Sequence, residues 1–231
     1  MPSVTAGRRL KVAIKDALGL RGVKRVELLA GPARGVTMTL DFSGHTPMYL
    51  GMYEWELHAF LRKTLPTARL IFDVGGYIGY DALLFAANSP GRVVTFEPNP
   101  DNAQLLEANV GQNPSLSERI TLTSLAVSGQ SGDGATTLDA ASGRFGAPDL
   151  VKIDIDGGEL DALSGGVKTL REQRPHLIVE THSKKLERDC GVLLADCGYR
   201  PIIKHNRQIW REQRGGAPHN RWLLATGHPT G

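Results

Sequence analysis

One glycine-rich stretch constrains the fold of this chain more than any other feature. A hydrophobic run over residues 69–74 contains the acidic Asp73 and passes directly into Gly75-Gly76-Tyr77-Ile78-Gly79. A buried strand that turns sharply through glycines into a helix is typical of a parallel α/β sheet. The free N–H groups at the start of such a helix, here near Gly79, favour a nucleotide-like ligand.

The spacing of these glycines excludes two common nucleotide-binding motifs. A dinucleotide fingerprint would need glycines at Tyr77 and Tyr80, and no Gly-Lys-Ser/Thr sequence follows to make a P-loop. The next predicted strand, residues 92–97, ends in Glu97, which could accept hydrogen bonds from both hydroxyls of a ribose. The Asp73 carboxylate would repel a pyrophosphate but attract the cationic amino-acid end of S-adenosylmethionine. These residues therefore indicate methyl transfer.

The composition is that of an ordinary globular protein. The 231 residues, 41% of them hydrophobic and 22% charged, suit one α/β domain over residues 49–231 with an N-terminal extension over residues 1–48. No apolar run approaches the ~20 residues of a membrane helix, and no signal-peptide core is present, so we expect a cytoplasmic protein without a membrane partner. A net charge of +3, with the basic residues spread along the chain, is too small to indicate a nucleic-acid partner, so none is expected.

The extension is predicted to hold a helix and a β-hairpin. Residues 4–18 form a basic amphipathic pattern, which would dock on the domain or lie on a membrane or an acidic partner. Residues 23–30 and 35–42 have the composition of two strands around a Gly-Pro turn. A loop at 44–47 and a helix over 49–65 follow, in which Tyr53 or Glu54 could line a pocket or serve only the helix dipole.

The second half of the chain continues the alternation of strands and helices. Asn99 and Pro100 predict the start of a helix, and Ser183 predicts another. Residues 129–148 lack a helical pattern, so the crossover helix there is expected to be short or absent. The loop at 126–129, containing Ala126, could contact an adenine ring. Strands are predicted at 120–125, 149–154 and 175–180, a helix at 159–170, and an antiparallel edge hairpin at 199–204 and 221–226.

Two charged side chains share one side of a predicted buried strand. Lys152 and Asp154 point the same way because strand side chains alternate. A lysine is unusual in a strand covered on both faces, so either Asp154 satisfies it structurally or both face the ligand. The two cysteines, Cys190 and Cys197, lie about 10 Å apart along one predicted helix, too far for a disulfide.

These residues resemble the FkbM-like family of S-adenosylmethionine-dependent methyltransferases over roughly residues 49–204. The resemblance is carried by six stretches: Tyr53-Glu54, Phe72-Asp73-Val74-Gly75 with Gly79, Phe96-Glu97-Pro98-Asn99-Pro100, Thr137-Leu138-Asp139, Lys152-Ile153-Asp154-Ile155-Asp156-Gly157 with Glu159, and Glu180. The Lys-x-Asp-x-acid-Gly-x-Glu run is the most specific of them. Gly76-Tyr77 stand where Ala-Asn is common in the family, and Asp156 stands for a more usual Glu.

The resemblance implies a doubly wound, Rossmann-like sheet of seven strands, the class I methyltransferase fold, with an antiparallel last strand. It also implies methylation of a hydroxyl oxygen on a sugar or natural product, with S-adenosylmethionine as the cofactor. Because Tyr77 departs from the family pattern, the contacts with the donor near this position do not follow from the resemblance. The candidate cofactor-binding residues are Asp73, Gly75, Gly76, Tyr77, Gly79, Glu97, Pro98, Asn99, Ala126 and Asp154.

A neutral hydroxyl is a poor nucleophile and needs a base or a metal ion. The candidate catalytic residues are Lys152, Asp154, Glu180 and His182, with His182 as general base oriented by Asp154 or Glu180. The same carboxylates and imidazole could hold Mg²⁺, although no metal-spaced Cys/His motif occurs. Three alternatives stay open: an exposed His182 with no role, a donor-binding module or inactive relative, and an oxidoreductase on a similar sheet.

Overall fold

The structure is a computed structural model that describes residue 19, residues 21–206 and residues 219–227. The helix predicted over residues 4–18 lies outside the described residues, as does most of the loop before the last strand. Within the described part of the chain, no helix is both long and apolar enough to cross a bilayer. Cys190 and Cys197 are buried, unpaired thiols, as their spacing predicted.

Seven strands form the central sheet: β3 (Leu70–Val74), β4 (Arg92–Phe96), β5 (Ile120–Thr123), β8 (Leu150–Ile153), β9 (His176–Thr181), β10 (Ile202–His205) and β11 (Arg221–Ala225). Their order in the sheet is β10-β11-β9-β8-β3-β4-β5. Neighbouring strands are parallel except β11, which runs antiparallel to both β9 and β10. This arrangement confirms the predicted fold class.

Helices cover both faces of this sheet, so its central strands are buried on both sides. Ile71, Leu150 and Ile178 pack toward one face, while Phe72, Val151 and Val179 pack toward the other. Alternation along each strand places Asp73, Lys152 and Glu180 on the same face as the first set. The helices are α1 (Thr46–Tyr49), α2 (His58–Thr64), α3 (Tyr80–Asn88), α4 (Pro100–Gly111), α5 (Pro114–Ser117), α6 (Leu138–Phe145), α7 (Glu159–Ser164) and α8 (Lys184–Asp196).

The predicted N-terminal hairpin is present as β1 (Val23–Glu27) paired antiparallel with β2 (Thr37–Asp41). Met38 and Leu40 are fully buried in the same cluster as the sheet residues. The side chains of Asn109 on α4 and of Asn113, just before α5, accept hydrogen bonds from the backbone of β2, at 2.7 and 2.9 Å. The hairpin therefore shares one hydrophobic core with the sheet.

The helix predicted over residues 49–65 is wrong in its extent, and so is the loop predicted at 44–47. The chain forms α1, then a 3-10 turn at Trp55–Leu57, α2, and a second 3-10 turn at Leu65–Thr67. Gly51 breaks the pattern because a Cβ there would lie 2.4 Å from the carbonyl of Ala30. Packing of this segment against the hairpin overrides its local helical preference.

Two further helices differ from their predicted bounds. The crossover helix expected to be short or absent is α6, which spans eight residues and is capped by the Thr137 side chain. The helix predicted over 159–170 ends at Ser164, and a π-helical segment, Thr169–Gln173, follows. A Cβ on Gly165 would lie 2.2 Å from the carbonyl oxygen of Ser128, so glycine lets these two segments of the backbone approach closely. The segment that contains Ser128 also holds β6 (Ala126–Val127), which pairs with β7 (Ala135–Thr136).

Candidate active site

A pocket of about 500 Å³ opens at the carboxyl ends of β3, β4 and β8. Its wall is formed by the glycine bend after β3, by Glu97 and Pro98 after β4, and by residues 154–156 after β8. Met48 and Tyr53, from the segment after the hairpin, complete it. The pocket thus lies where parallel α/β sheets bind their ligands.

The glycine bend is held by close backbone contacts. The amides of Gly75 and Gly76 both donate to the carbonyl of Phe96, at 2.9 and 3.1 Å. Gly75 has a φ of 95°, and a Cβ there would lie 1.9 Å from the carbonyl oxygen of Asp154. Any side chain at this position would push β3 and the loop after β8 apart, so the bend requires glycine. Gly79, at the end of the bend, precedes α3 with a φ of 87°.

The Glu97 carboxylate is fixed by the backbone around it. Its Oε2 accepts from the amide of Tyr77 at 2.8 Å, and its Oε1 accepts from the amide of Asn99 at 2.9 Å. A carboxylate has about four lone-pair positions, so each oxygen can accept one more hydrogen bond. Asn99 itself caps α4 through its side chain, as predicted. Glu97 is therefore a preorganised acceptor in the pocket wall.

Asp73 is only 1% exposed and does not line the pocket. Its Oδ2 accepts from the Thr95 hydroxyl at 3.0 Å, while its Oδ1 has no hydrogen-bond partner among the described residues. Burial and the negative charge of Asp81 raise the pKa of Asp73 to about 7. Asp81, in the first turn of α3, lines the pocket itself, although no sequence motif points to it.

The buried Lys152 ammonium lies among three carboxylates. Its Nζ is 2.5 Å from Asp81, 3.0 Å from Glu54 and 3.8 Å from Asp154. Burial would lower the pKa of Lys152, but these carboxylates raise it well above its ordinary value. Burial also raises the pKa of Glu54 to about 8 despite the nearby lysine. The cluster carries more negative than positive charge next to the pocket.

Replacing Lys152 with methionine is expected to lower the free energy of unfolding by about 3 to 5 kcal/mol, because it leaves buried carboxylates without their counter-ion. Urea unfolding at neutral pH measures the change. Lys185→Met is the matched control, since Lys185 pairs with Asp189 but is 76% exposed, and such surface pairs contribute about 1 kcal/mol or less. Equal stability of Lys152→Met and the wild type would contradict the structural importance of this cluster.

His182, just after β9, points its ring at the ends of β8 and β9. Its Nδ1 is 2.7 Å from Oε1 of Glu159, which is fully buried in the first turn of α7. Its Nε2 faces Asp156, Asp154 and Glu180, at 3.3, 3.7 and 3.7 Å. The hydrogen bond with Glu159 raises the pKa of His182 above its ordinary value, against the opposite effect of burial.

The orientation of this histidine differs from the prediction in one respect. The residue that hydrogen-bonds its ring is Glu159, rather than Asp154 or Glu180. A carboxylate accepts hydrogen bonds, so in the neutral ring Nδ1 carries the proton and the lone pair of Nε2 faces the carboxylates. Glu180 is held instead by the indole N–H of Trp222, which donates to its Oε2 at 3.1 Å.

The structure brings most of the predicted site residues together around one pocket. Six line it: Gly75, Gly76, Tyr77, Glu97, Pro98 and Asp154. Lys152, Glu180 and His182 adjoin it through Asp154. Asp73 and Ala126 are not among its lining residues, and Gly79 and Asn99 act as helix caps beside it. Asp81 and Glu159 are site residues whose roles were not predicted from the sequence.

Comparison with known proteins gives two sequence matches. Residues 134–201 match the methyltransferase FkbM domain. Over 150 residues the chain is 29% identical to the hexuronic acid methyltransferase AglP of Haloferax volcanii. This alignment covers 55% of the chain and 62% of AglP. The chain thus spans less than two thirds of the length of the curated relative it matches.

Solved structures agree at the level of the fold. The methyltransferase FkbM of Methylobacillus flagellatus has a TM-score of 0.52 at 20% identity, covering 68% of this chain and 43% of that one. Fibrillarin of Aeropyrum pernix, solved with natively bound S-adenosyl-L-methionine, has a TM-score of 0.50 at 15% identity, covering 71% and 68%. The chain is thus similar to the methyltransferase FkbM domain over residues 134–201, and the solved structures together with the seven-stranded sheet show the class I methyltransferase fold.

Proposed function

We propose that this chain is an S-adenosylmethionine-dependent methyltransferase that methylates a hydroxyl oxygen of a small molecule, either a sugar or a natural product. The observation that carries the proposal is one pocket in which the glycine bend and Glu97 meet Asp154, beside Glu180 and His182. Similarity to a hexuronic acid methyltransferase supports a sugar acceptor. A cytoplasmic location without nucleic-acid or membrane partners stays a prediction from the sequence.

The residues of the pocket fit the donor. S-adenosylmethionine, when bound, supplies a methyl group activated by a sulfonium centre. Glu97 has free lone pairs for two ribose hydroxyls, and the glycine bend allows close approach. The surplus of carboxylates around Lys152 suits the cationic methionyl end. The hydroxyl of Tyr80, a residue that lines the pocket, is buried and has no hydrogen-bond partner among the described residues, which leaves it available to a ligand or its waters.

The acceptor hydroxyl would approach from the side of Asp154. The protein aligns the hydroxyl oxygen in line with the bond to the transferred methyl group, and the hydroxyl proton must leave as the new bond forms. The lone pair of His182 Nε2 and the two neighbouring carboxylates are the groups that can assist this loss. A general base at His182 and a Mg²⁺-assisted reaction are the two forms that the sequence suggested, and both need these three side chains at one point.

A methyl-transfer assay tests this proposal. The full chain is incubated with methyl-labelled donor and a panel of uronic acids and neutral sugars, and products are identified by mass spectrometry. We expect O-methylated product and S-adenosylhomocysteine in equal amounts. Donor binding by calorimetry without transfer to any acceptor would favour the alternative of a donor-binding module or inactive relative. Binding of a nicotinamide cofactor instead would favour an oxidoreductase.

A further inference from the structure

Three potential ligand atoms converge at the carboxyl ends of β8 and β9. Oxygen atoms of Asp154 and Glu180 and a ring nitrogen of His182 all lie within 4.8 Å of one another. The two contacts of His182 Nε2 with these carboxylates, both 3.7 Å, are too long for hydrogen bonds. Ligand atoms about 2.1 Å from one cation lie about 3.0 to 3.5 Å apart, so small side-chain rotations would complete such a site.

The imidazole is oriented by a residue outside this group of three. Glu159 is fully buried, and its Oε1 also accepts from the amide of Gly157 at 2.9 Å, which fixes the carboxylate. Its contact with Nδ1 turns Nε2 toward Asp154 and Glu180. A histidine whose second ring nitrogen donates to a carboxylate is the usual arrangement of a metal-ligating imidazole, because that bond fixes the tautomer and raises the basicity of the ligand nitrogen.

The second observation is the buried carboxyl group of Glu180, which is only 5% exposed. Trp222 donates to its Oε2, while its Oε1 faces His182 at 3.7 Å, beyond hydrogen-bonding distance. The Lys152 ammonium is 3.8 Å from Asp154 and lies closer to Glu54 and Asp81. A cation at this point would lie between the carboxyl groups of Asp154 and Glu180, whose negative charge attracts it.

We infer that Asp154, Glu180 and His182 bind a divalent transition-metal cation of the Mn²⁺ or Zn²⁺ type. Two carboxylates with one imidazole suit these ions, whereas Mg²⁺ prefers oxygen ligands alone. The catalytic role of the cation rests on the proposed function. Held by these three residues, such a cation would supply Lewis acidity that lowers the pKa of a nearby hydroxyl, and the exposed carboxylate of Asp156, 3.3 Å from His182 Nε2, would be placed to accept the released proton.

Mn²⁺ binding to the full-length chain tests the site without reference to activity. Calorimetry or electron paramagnetic resonance is carried out with Mn²⁺ alone, on protein stripped with EDTA and without donor. We expect one saturable site, weakened about tenfold or more in Glu180→Gln, Asp154→Asn and Glu159→Gln. Glu187→Gln is the matched control, because Glu187 is also a carboxylate beside a histidine, 3.2 Å from His219. Circular dichroism and thermal unfolding check that each variant is folded.

Activity measurements then separate this inference from the proposed function. Loss of methyl transfer in EDTA, with recovery on added Mn²⁺ or Zn²⁺, agrees with a cation that acts in the reaction. Absence of saturable Mn²⁺ binding, or binding unchanged in both Glu180→Gln and Asp154→Asn, overturns the inference. If transfer also persists in EDTA, the methyltransferase proposal stands and His182 is the general base.

Discussion

Replacing His182 with alanine is expected to lower kcat of methyl transfer about 10²- to 10⁴-fold, the usual contribution of a group that assists proton transfer. The affinity for the donor should change little, because His182 is not among the residues that line the pocket with the glycine bend and Glu97. The expected loss is the same whether the imidazole accepts the proton or holds a cation. Steady-state kinetics with donor and acceptor varied separately, together with donor binding by calorimetry, measure both quantities.

The control for this variant is His205→Ala, since His205 is an exposed histidine on the edge strand β10. Its kcat should match that of the wild type. A folded His182→Ala enzyme with undiminished turnover would remove the Asp154, Glu180 and His182 group from the mechanism. It would also leave the hydrogen bond from His182 Nδ1 to Glu159 without a catalytic purpose.

Replacing Glu97 with alanine is expected to raise the Kd for S-adenosylmethionine about 100-fold. Each hydrogen bond from a ribose hydroxyl to this carboxylate contributes about 1.5 kcal/mol, and two of them give about 3 kcal/mol. The substitution also removes the acceptor for the amides of Tyr77 and Asn99, which loosens the pocket wall. Calorimetry of donor binding measures the change.

Two variants make the Glu97 result specific. Glu107→Ala removes an exposed carboxylate from α4 and should leave the Kd unchanged. Asp73→Ala should affect stability more than affinity, because Asp73 is buried and bonded to Thr95 outside the pocket lining. Unchanged donor affinity in a folded Glu97→Ala variant would falsify the assignment of this pocket to the donor.

The positions of the sheet strands followed from the sequence because each strand is a short apolar run ending at a polar or glycine residue, whereas the seven-stranded architecture was implied by the family resemblance. Asp154, Glu97 and His182 were identified for the same reason, since residues just after parallel strands gather at one edge of the sheet. The caps Asn99 and Ser183 were also readable, because their side chains bond to amides two or three residues away. These signals are local in the chain.

The features that the sequence did not reveal depend on distant contacts. The break in the 49–65 helix follows from Gly51 packing on the turn at Ala30, about which local propensity carries no information. Asp81 and Glu159 stand in first helical turns, where acidic residues commonly serve the helix dipole. Their partners, Lys152 and His182, are 71 and 23 residues away in the chain. Only the folded sheet brings these pairs together.

The position of β11 has a consequence for how the chain folds during synthesis. β10 is translated before β11, yet β11 lies between β10 and the rest of the sheet. On the ribosome β10 therefore has no sheet neighbour until β11 has emerged, and Glu180 has no indole partner until Trp222 arrives. Because strand pairing at this edge waits until β11 has been translated, the acceptor side of the site is expected to form after the glycine bend and Glu97.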